Sequence, residues 1–130
     1  MIKGKTYSQR TTEIFREAGF EVQIVERFIS YANVRKDFLT CIDLMAMKPG
    51  IKTIIGIQCF SSAWTEHQRK ICVEYPWGAK FWLSMKHKLL FVGWRRLKSN
   101  NKWTPRFGVV TFNRGKLTLT EVDHLWQALK

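Results

Sequence analysis

The stretch VRKDFLTCIDLMAMKPGIKTIIGIQCF, residues 34–60, decides how the rest of the chain is read. Two apolar segments are joined by Lys48-Pro49-Gly50, a combination that reads as a turn between paired strands. One acid, Asp43, stands in the middle of the first segment, and one amide, Gln58, near the end of the second. Alternation puts Asp43 on the face of Cys41 and Met45, and Gln58 on the face of Phe60. Antiparallel pairing brings positions 43 and 58 within roughly 5 Å of each other. A carboxylate inside a buried strand is costly unless something pairs with it. A divalent cation is one such partner: Asp43 and the amide oxygen of Gln58 would make half of a Mg²⁺ site, with waters filling the rest. An ordinary paired core acid is the other reading, and the spacing leaves both open.

Outward from this hairpin, the chain reads as helix, three strands, helix, two strands, helix. Ser8, Thr11 and Thr12 offer caps for a first helix running to about Ala18, which Gly19 ends. Residues 20–28 alternate apolar and polar and read as a strand, followed by a basic loop over 30–36. Strands over 37–47 and 51–60 complete a meander. Ser61 or Ser62 caps a second helix to about Tyr75, and a short helical piece follows to Met85. Strands are expected over 89–97 and 103–112, then a last helix capped by Thr118 or Thr120. The expected fold is α/β, one domain over 1–130, with a central mixed five-stranded sheet flanked by helices.

Composition narrows the function. A hydrophobic content of 45% with six tryptophans excludes a disordered chain. No apolar run reaches the roughly 18–20 residues that cross a bilayer, so no membrane is expected. The opening MIKGKTYSQR lacks the apolar core of a signal peptide, which predicts a cytoplasmic protein. Cys41, Cys59 and Cys72 have no CxxC spacing and no ligand spacing to His67, His87 or His124, which argues against structural zinc. The formal net charge of +12, with basic residues interleaved among aromatics, is the footprint of a nucleic-acid binder. Arg35, Lys36, His67, Arg69, Lys70, Arg95, Arg96 and Lys98 are the expected phosphate contacts. Trp94 and Trp103 fit core positions better than base stacking.

The segment IDLMAMKPGIKTIIGIQC resembles the core hairpin of the PD-(D/E)xK nuclease superfamily. Asp43 matches the acid of its first strand, Gln58 the second acidic position and Phe60 the lysine position. A group of small phage and prophage proteins of that superfamily is similar over five blocks in order. These are VERF, NVRKDFLTCIDLMA, GIQCFSSAW, HQRKI and VGWRRLKSNNKW, spread from about Thr11 to Arg106. That group also uses Gln at position 58, with a small hydroxyl residue usual at 60 and glycine usual at 40. The resemblance implies a restriction-endonuclease-like core and a Mg²⁺-dependent DNA endonuclease, with Mn²⁺ as substitute. Archaeal Holliday-junction resolvases are similar in size and basic character, which points to four-way junctions. If the gene is a phage's, the compartment is the host cytoplasm.

The departures at 58 and 60 move two charges elsewhere. The missing cation is assigned to Lys70, since lysines of the superfamily can sit on the helix after the second core strand. The missing acid has three candidates: Glu26, which ranks first, Glu13 on the first helix, and Asp37. On a regular strand Asp37 lies roughly 20 Å from Asp43, which excludes a shared ion unless a bulge intervenes, so Asp37 is expected to order the basic loop by pairing with Arg27 or Arg35. Symmetric cutting of a junction requires two active sites and hence a homodimer. Two other readings remain: a nuclease fold that binds DNA without cutting it, motivated by Gln58 and Phe60, and a partner-binding protein with an incidental basic surface.

Overall fold

In the computed structural model, which describes residues 4–32, 34–61 and 63–129, the hairpin is present and sits inside a larger sheet. Helix α1 (Tyr7–Glu17) starts one turn earlier than expected. Thr6 accepts from the Gln9 amide while the Gln9 side chain returns to the Thr6 amide, a reciprocal cap. The strand expected over 20–28 is two pieces, β1 (Glu21–Ile24) and β2 (Arg27–Ile29), because the chain leaves the main sheet at Val25. β2 pairs only with β3 (Val34–Lys36), forming a separate small hairpin whose tip is a 3-10 turn, Ser30–Ala32.

The strand expected over 37–47 is also interrupted. After β3 the chain turns through Leu39 and Thr40, both with positive φ, and resumes as β4 (Leu44–Met47). Asp43 therefore stands at the mouth of a strand instead of in its middle. β4 pairs with β1 and with β5 (Ile55–Phe60), each antiparallel. Beyond β5 come α2 (Trp64–Arg69), a π-helical turn over Lys70–Glu74, and α3 (Trp77–Ser84), which together cross over to β6 (Lys88–Arg96), parallel to β5. Of the two expected caps of α2, Ser61 does not cap it, since Ala63 precedes the helix without a side-chain bond, and Ser62 lies outside the described residues.

β7 (Trp103–Asn113) and β8 (Lys116–Val122) add an antiparallel hairpin. β8 replaces the start of the expected last helix. Arg114 and Gly115 take positive φ in a two-residue loop, a geometry that sends the chain straight back along its neighbour. Leu117 and Leu119 then alternate with Thr118 and Thr120, a two-residue period. Only α4 (Leu125–Ala128) remains helical, capped by His124. The sheet is thus mixed and six-stranded, in the order β1-β4-β5-β6-β7-β8.

Both faces of the sheet are covered, which explains why β5 and β6 read as nearly unbroken apolar runs. On one face Phe15 of α1 and Leu125 of α4 pack against Leu44, Ile57, Leu90 and Val92. On the other Trp64, Ile71, Ala79 and Trp82 pack against Ile42, Leu89 and Phe91. Trp94 belongs to the first layer, where its indole N–H donates to Thr11 Oγ1 at 2.9 Å. No helix among the described residues is long and apolar enough to cross a membrane.

Candidate metal centre

Asp43 and Gln58 are the two buried residues of the central hairpin with polar side chains, each about 4% exposed. The backbone of Asp43 continues the ladder, its N–H donating to Ile57 O at 2.8 Å. Its carbonyl accepts from Val25 N–H at 2.9 Å and from Glu26 N–H at 3.2 Å, which pins Glu26 beside it as the chain departs from the sheet. Its carboxylate accepts the Cys59 N–H at 2.8 Å. Local hydrogen bonding therefore fixes both the acid and its neighbour.

The turn over 38–42 brings a third acid. Phe38 and Ile42 form an isolated bridge, with N–H to O distances of 2.9 Å in both directions between them. The six-residue separation is thereby folded back on itself, and Glu26, Asp37 and Asp43 offer carboxylate oxygens that all lie within 4.8 Å of one another. The exclusion of Asp37 on strand length is overturned, because the chain turns back over 38–42 where one regular strand was expected. Gln58, expected as a ligand, turns its amide nitrogen to Cys41 O (2.6 Å) and to Asp37 Oδ2 (3.3 Å). Through that nitrogen Gln58 holds Asp37 in place.

Three acids in so small a space resist ionisation together. Burial pushes the Asp43 carboxyl far above the usual carboxylate range, and the hydrogen bond and charge of Asp37 push it further, with Glu26 adding to the effect. The Cys59 N–H opposes these influences without overcoming them. All-oxygen donors in mutual repulsion are the donor set that a hard divalent cation relieves, so the residues present fit such an ion. The nearby thiols do not compete for it, since burial pushes Cys41 up to about 12.

Glu13 does not join the cluster. It pairs with Lys5 at 2.8 Å on the surface of α1 and lines a different groove, with Arg16 and Ile24. Glu13→Ala should leave metal affinity and any cleavage within about twofold of wild type, a comparison that calorimetry and a nicking assay make directly.

Lys70 shares a groove with one of the three acids. A groove of about 410 Å³ is lined by Lys36, Asp37, Thr40, Lys70 and Tyr75. Lys70 opens the π-helical turn, a distortion that proteins place frequently at functional sites. Phe60 cannot supply a charge and is core: it stacks on His67 at 4.3 Å, meets Trp64 at a tilt and meets Phe91 edgewise. His67, expected on phosphate, is half-buried in that stack, and burial with the Lys70 charge holds its pKa below the ordinary imidazole value despite Asp37 and Glu66. Arg69 is engaged by Glu74 at 3.0 Å. The Arg35 side chain lies outside the described residues.

The remaining expected contacts continue the same end of the sheet. Gln58 pairs with Phe91 and Phe60 with Gly93, so Arg95 and Arg96 extend β6 beyond the centre, and exposed Lys98 follows. Arg96 and Arg10 flank the Trp103 ring at 5.2 and 5.1 Å. Arg95 lines a second cleft with Ser61, Trp64 and Arg106. No family model, curated protein or solved structure matches the chain.

Proposed function

We propose that this protein is a metal-dependent DNA endonuclease with a restriction-endonuclease-like core, acting on branched DNA in the manner of a Holliday-junction resolvase. The observation that carries the reading is the convergence of Glu26, Asp37 and Asp43 within 4.8 Å, next to a groove bearing Lys36 and Lys70. The hairpin's resemblance to the PD-(D/E)xK superfamily and the net charge of +12 support it.

Glu26, Asp37 and Asp43 would hold Mg²⁺, or Mn²⁺ as substitute, through carboxylate oxygens, while Gln58 fixes Asp37. Such an ion supplies Lewis acidity toward a phosphate oxygen and lowers the pKa of a water. Lys70 then takes the part of the motif lysine, placing positive charge on the scissile phosphate from the helical side of the groove. Lys36, Arg95, Arg96 and Lys98 bind flanking phosphates and fix position without reading sequence. Two copies would cut a junction symmetrically.

Incubating the protein with a four-way junction or matched duplex, in Mg²⁺, Mn²⁺ or EDTA, tests this. Nicking is expected in either metal, absent in EDTA and lost in Asp43→Asn. Lys70→Ala should lower the cleavage rate by about 10²-fold while leaving Mn²⁺ affinity unchanged, since it touches the phosphate and not the ion. The buried aromatic at the lysine position, Phe60, favours one rival, a fold that binds DNA and does not cut it. Salt-sensitive junction binding without cleavage in any metal would establish that rival.

A further inference from the structure

Five large apolar side chains stand exposed over residues 73–85: Val73, Tyr75, Trp77, Phe81 and Met85, each between 46% and 70% accessible. Trp77 and Phe81 are four residues apart on α3 and share a face, and Met85 continues that spacing just past the helix. This segment meets the metal centre's groove through Tyr75, which lines it with Asp37, Lys36 and Lys70. Gly78 lies on the buried side of α3 against the Leu39–Thr40 turn, where an added Cβ would lie 1.7 Å from Leu39 O, so that turn anchors the helix that carries Trp77 and Phe81. The first ring of the segment therefore borders the groove that Asp37 lines.

Apolar character alone would suit many occupants, but the surroundings select one. Lys36 and Lys70 at the near end call for an anion. A second copy of the chain, itself of net charge +12, would bring no net anion to this face, which leaves the dimer of the endonuclease reading to another surface. A polymer with flat apolar faces and an anionic backbone satisfies both demands, and single-stranded nucleic acid is that polymer. Duplex DNA keeps its base faces stacked inside.

We propose that Tyr75, Trp77 and Phe81 form a stacking platform for unpaired bases beside the scissile phosphate, so that a branched DNA with a single-stranded gap or flap on that side of the cut is bound better than a fully paired one. The inference deepens the endonuclease reading and rests on it for the identity of the groove. Fluorescence anisotropy in EDTA, with a labelled oligothymidylate and a labelled blunt duplex, tests the platform without cleavage. The double variant Tyr75→Ala/Trp77→Ala should lose at least about tenfold in oligothymidylate affinity and less than about twofold in duplex affinity. Tyr75→Phe and Trp77→Phe, which keep an aromatic face, should each lose only a few-fold, and this series guards against misfolding of the alanine variant. Equal losses on both DNAs, or none on either, would overturn the platform. So would a sedimentation measurement in which wild type is a dimer and Trp77→Ala a monomer, since the face would then join copies. The two readings fail separately. Selective single-strand loss without cleavage of any DNA removes the endonuclease and keeps the binding surface, whereas unaltered cleavage of a gapped junction by the double variant removes the platform alone.

Discussion

Asp43→Asn is expected to raise the melting temperature of the metal-free protein at pH 8 while abolishing metal binding and cleavage. The side chain is about 4% exposed and crowded by Asp37 and Glu26. Its folded-state pKa therefore lies above the unfolded value. A carboxyl raised in this way contributes its stability fully below about pH 4, where both states are protonated. That stability is lost as pH rises toward the folded-state pKa, because the unfolded chain releases its proton first. Metal-free wild type should accordingly melt lower at pH 8 than at pH 5. Asparagine keeps the shape, can still accept the Cys59 N–H and can donate to Asp37. With each unit of pKa displacement worth about 1.4 kcal/mol, the variant should gain on the order of 2 kcal/mol, or about 5 °C or more. Saturating Mn²⁺ should stabilise wild type and leave the variant unmoved. A variant that melts lower than wild type at pH 8 in EDTA would show that Asp43 is a stabilising paired acid.

Gly78→Ala is expected to be the most damaging single methyl in the molecule. Its Cβ would lie 1.7 Å from Leu39 O and 3.0 Å from Thr40 Oγ1, and the first of these is backbone that cannot rotate away. Either α3 lifts off the sheet or the 38–42 turn is pushed outward, and both outcomes cost packing around Ala79 and Trp82. The loss should reach about 3 kcal/mol or more, read as a shift in the urea midpoint. Because the displaced turn delivers Asp37, Mn²⁺ affinity should fall even at temperatures where the variant is folded. Wild-type Mn²⁺ affinity in a folded Gly78→Ala protein would separate the turn from the centre.

How much of this was legible in the sequence depended on whether local spacing or a distant contact decided the conformation. The 48–50 turn and the approach of residues 43 and 58 follow from alternation and turn chemistry, and both are present. Glu26 was reachable through the family resemblance, which ranks it first among the candidate acids. Asp37 was not: positive φ at Leu39 and Thr40 violates local preference, and only the close contact with Gly78 across 38 residues makes it intelligible. β8 was misread for a different reason. Thr118 and Thr120 read as helix caps on local preference, whereas Leu117 and Leu119 alternate with them as a strand. Gln58 stands across the ladder from Asp43 as alternation predicts, while the direction of its amide is set by distant neighbours, Cys41 and Asp37, that spacing does not show.

The most direct test is calorimetric titration of Mn²⁺ into wild type, Asp37→Asn and Glu13→Gln at neutral pH. The account predicts saturable binding to wild type and Glu13→Gln alike, and at least about tenfold weaker binding to Asp37→Asn, which loses one of three carboxylates at the ion. Equal binding by Asp37→Asn and wild type, or weakening confined to Glu13→Gln, would contradict it.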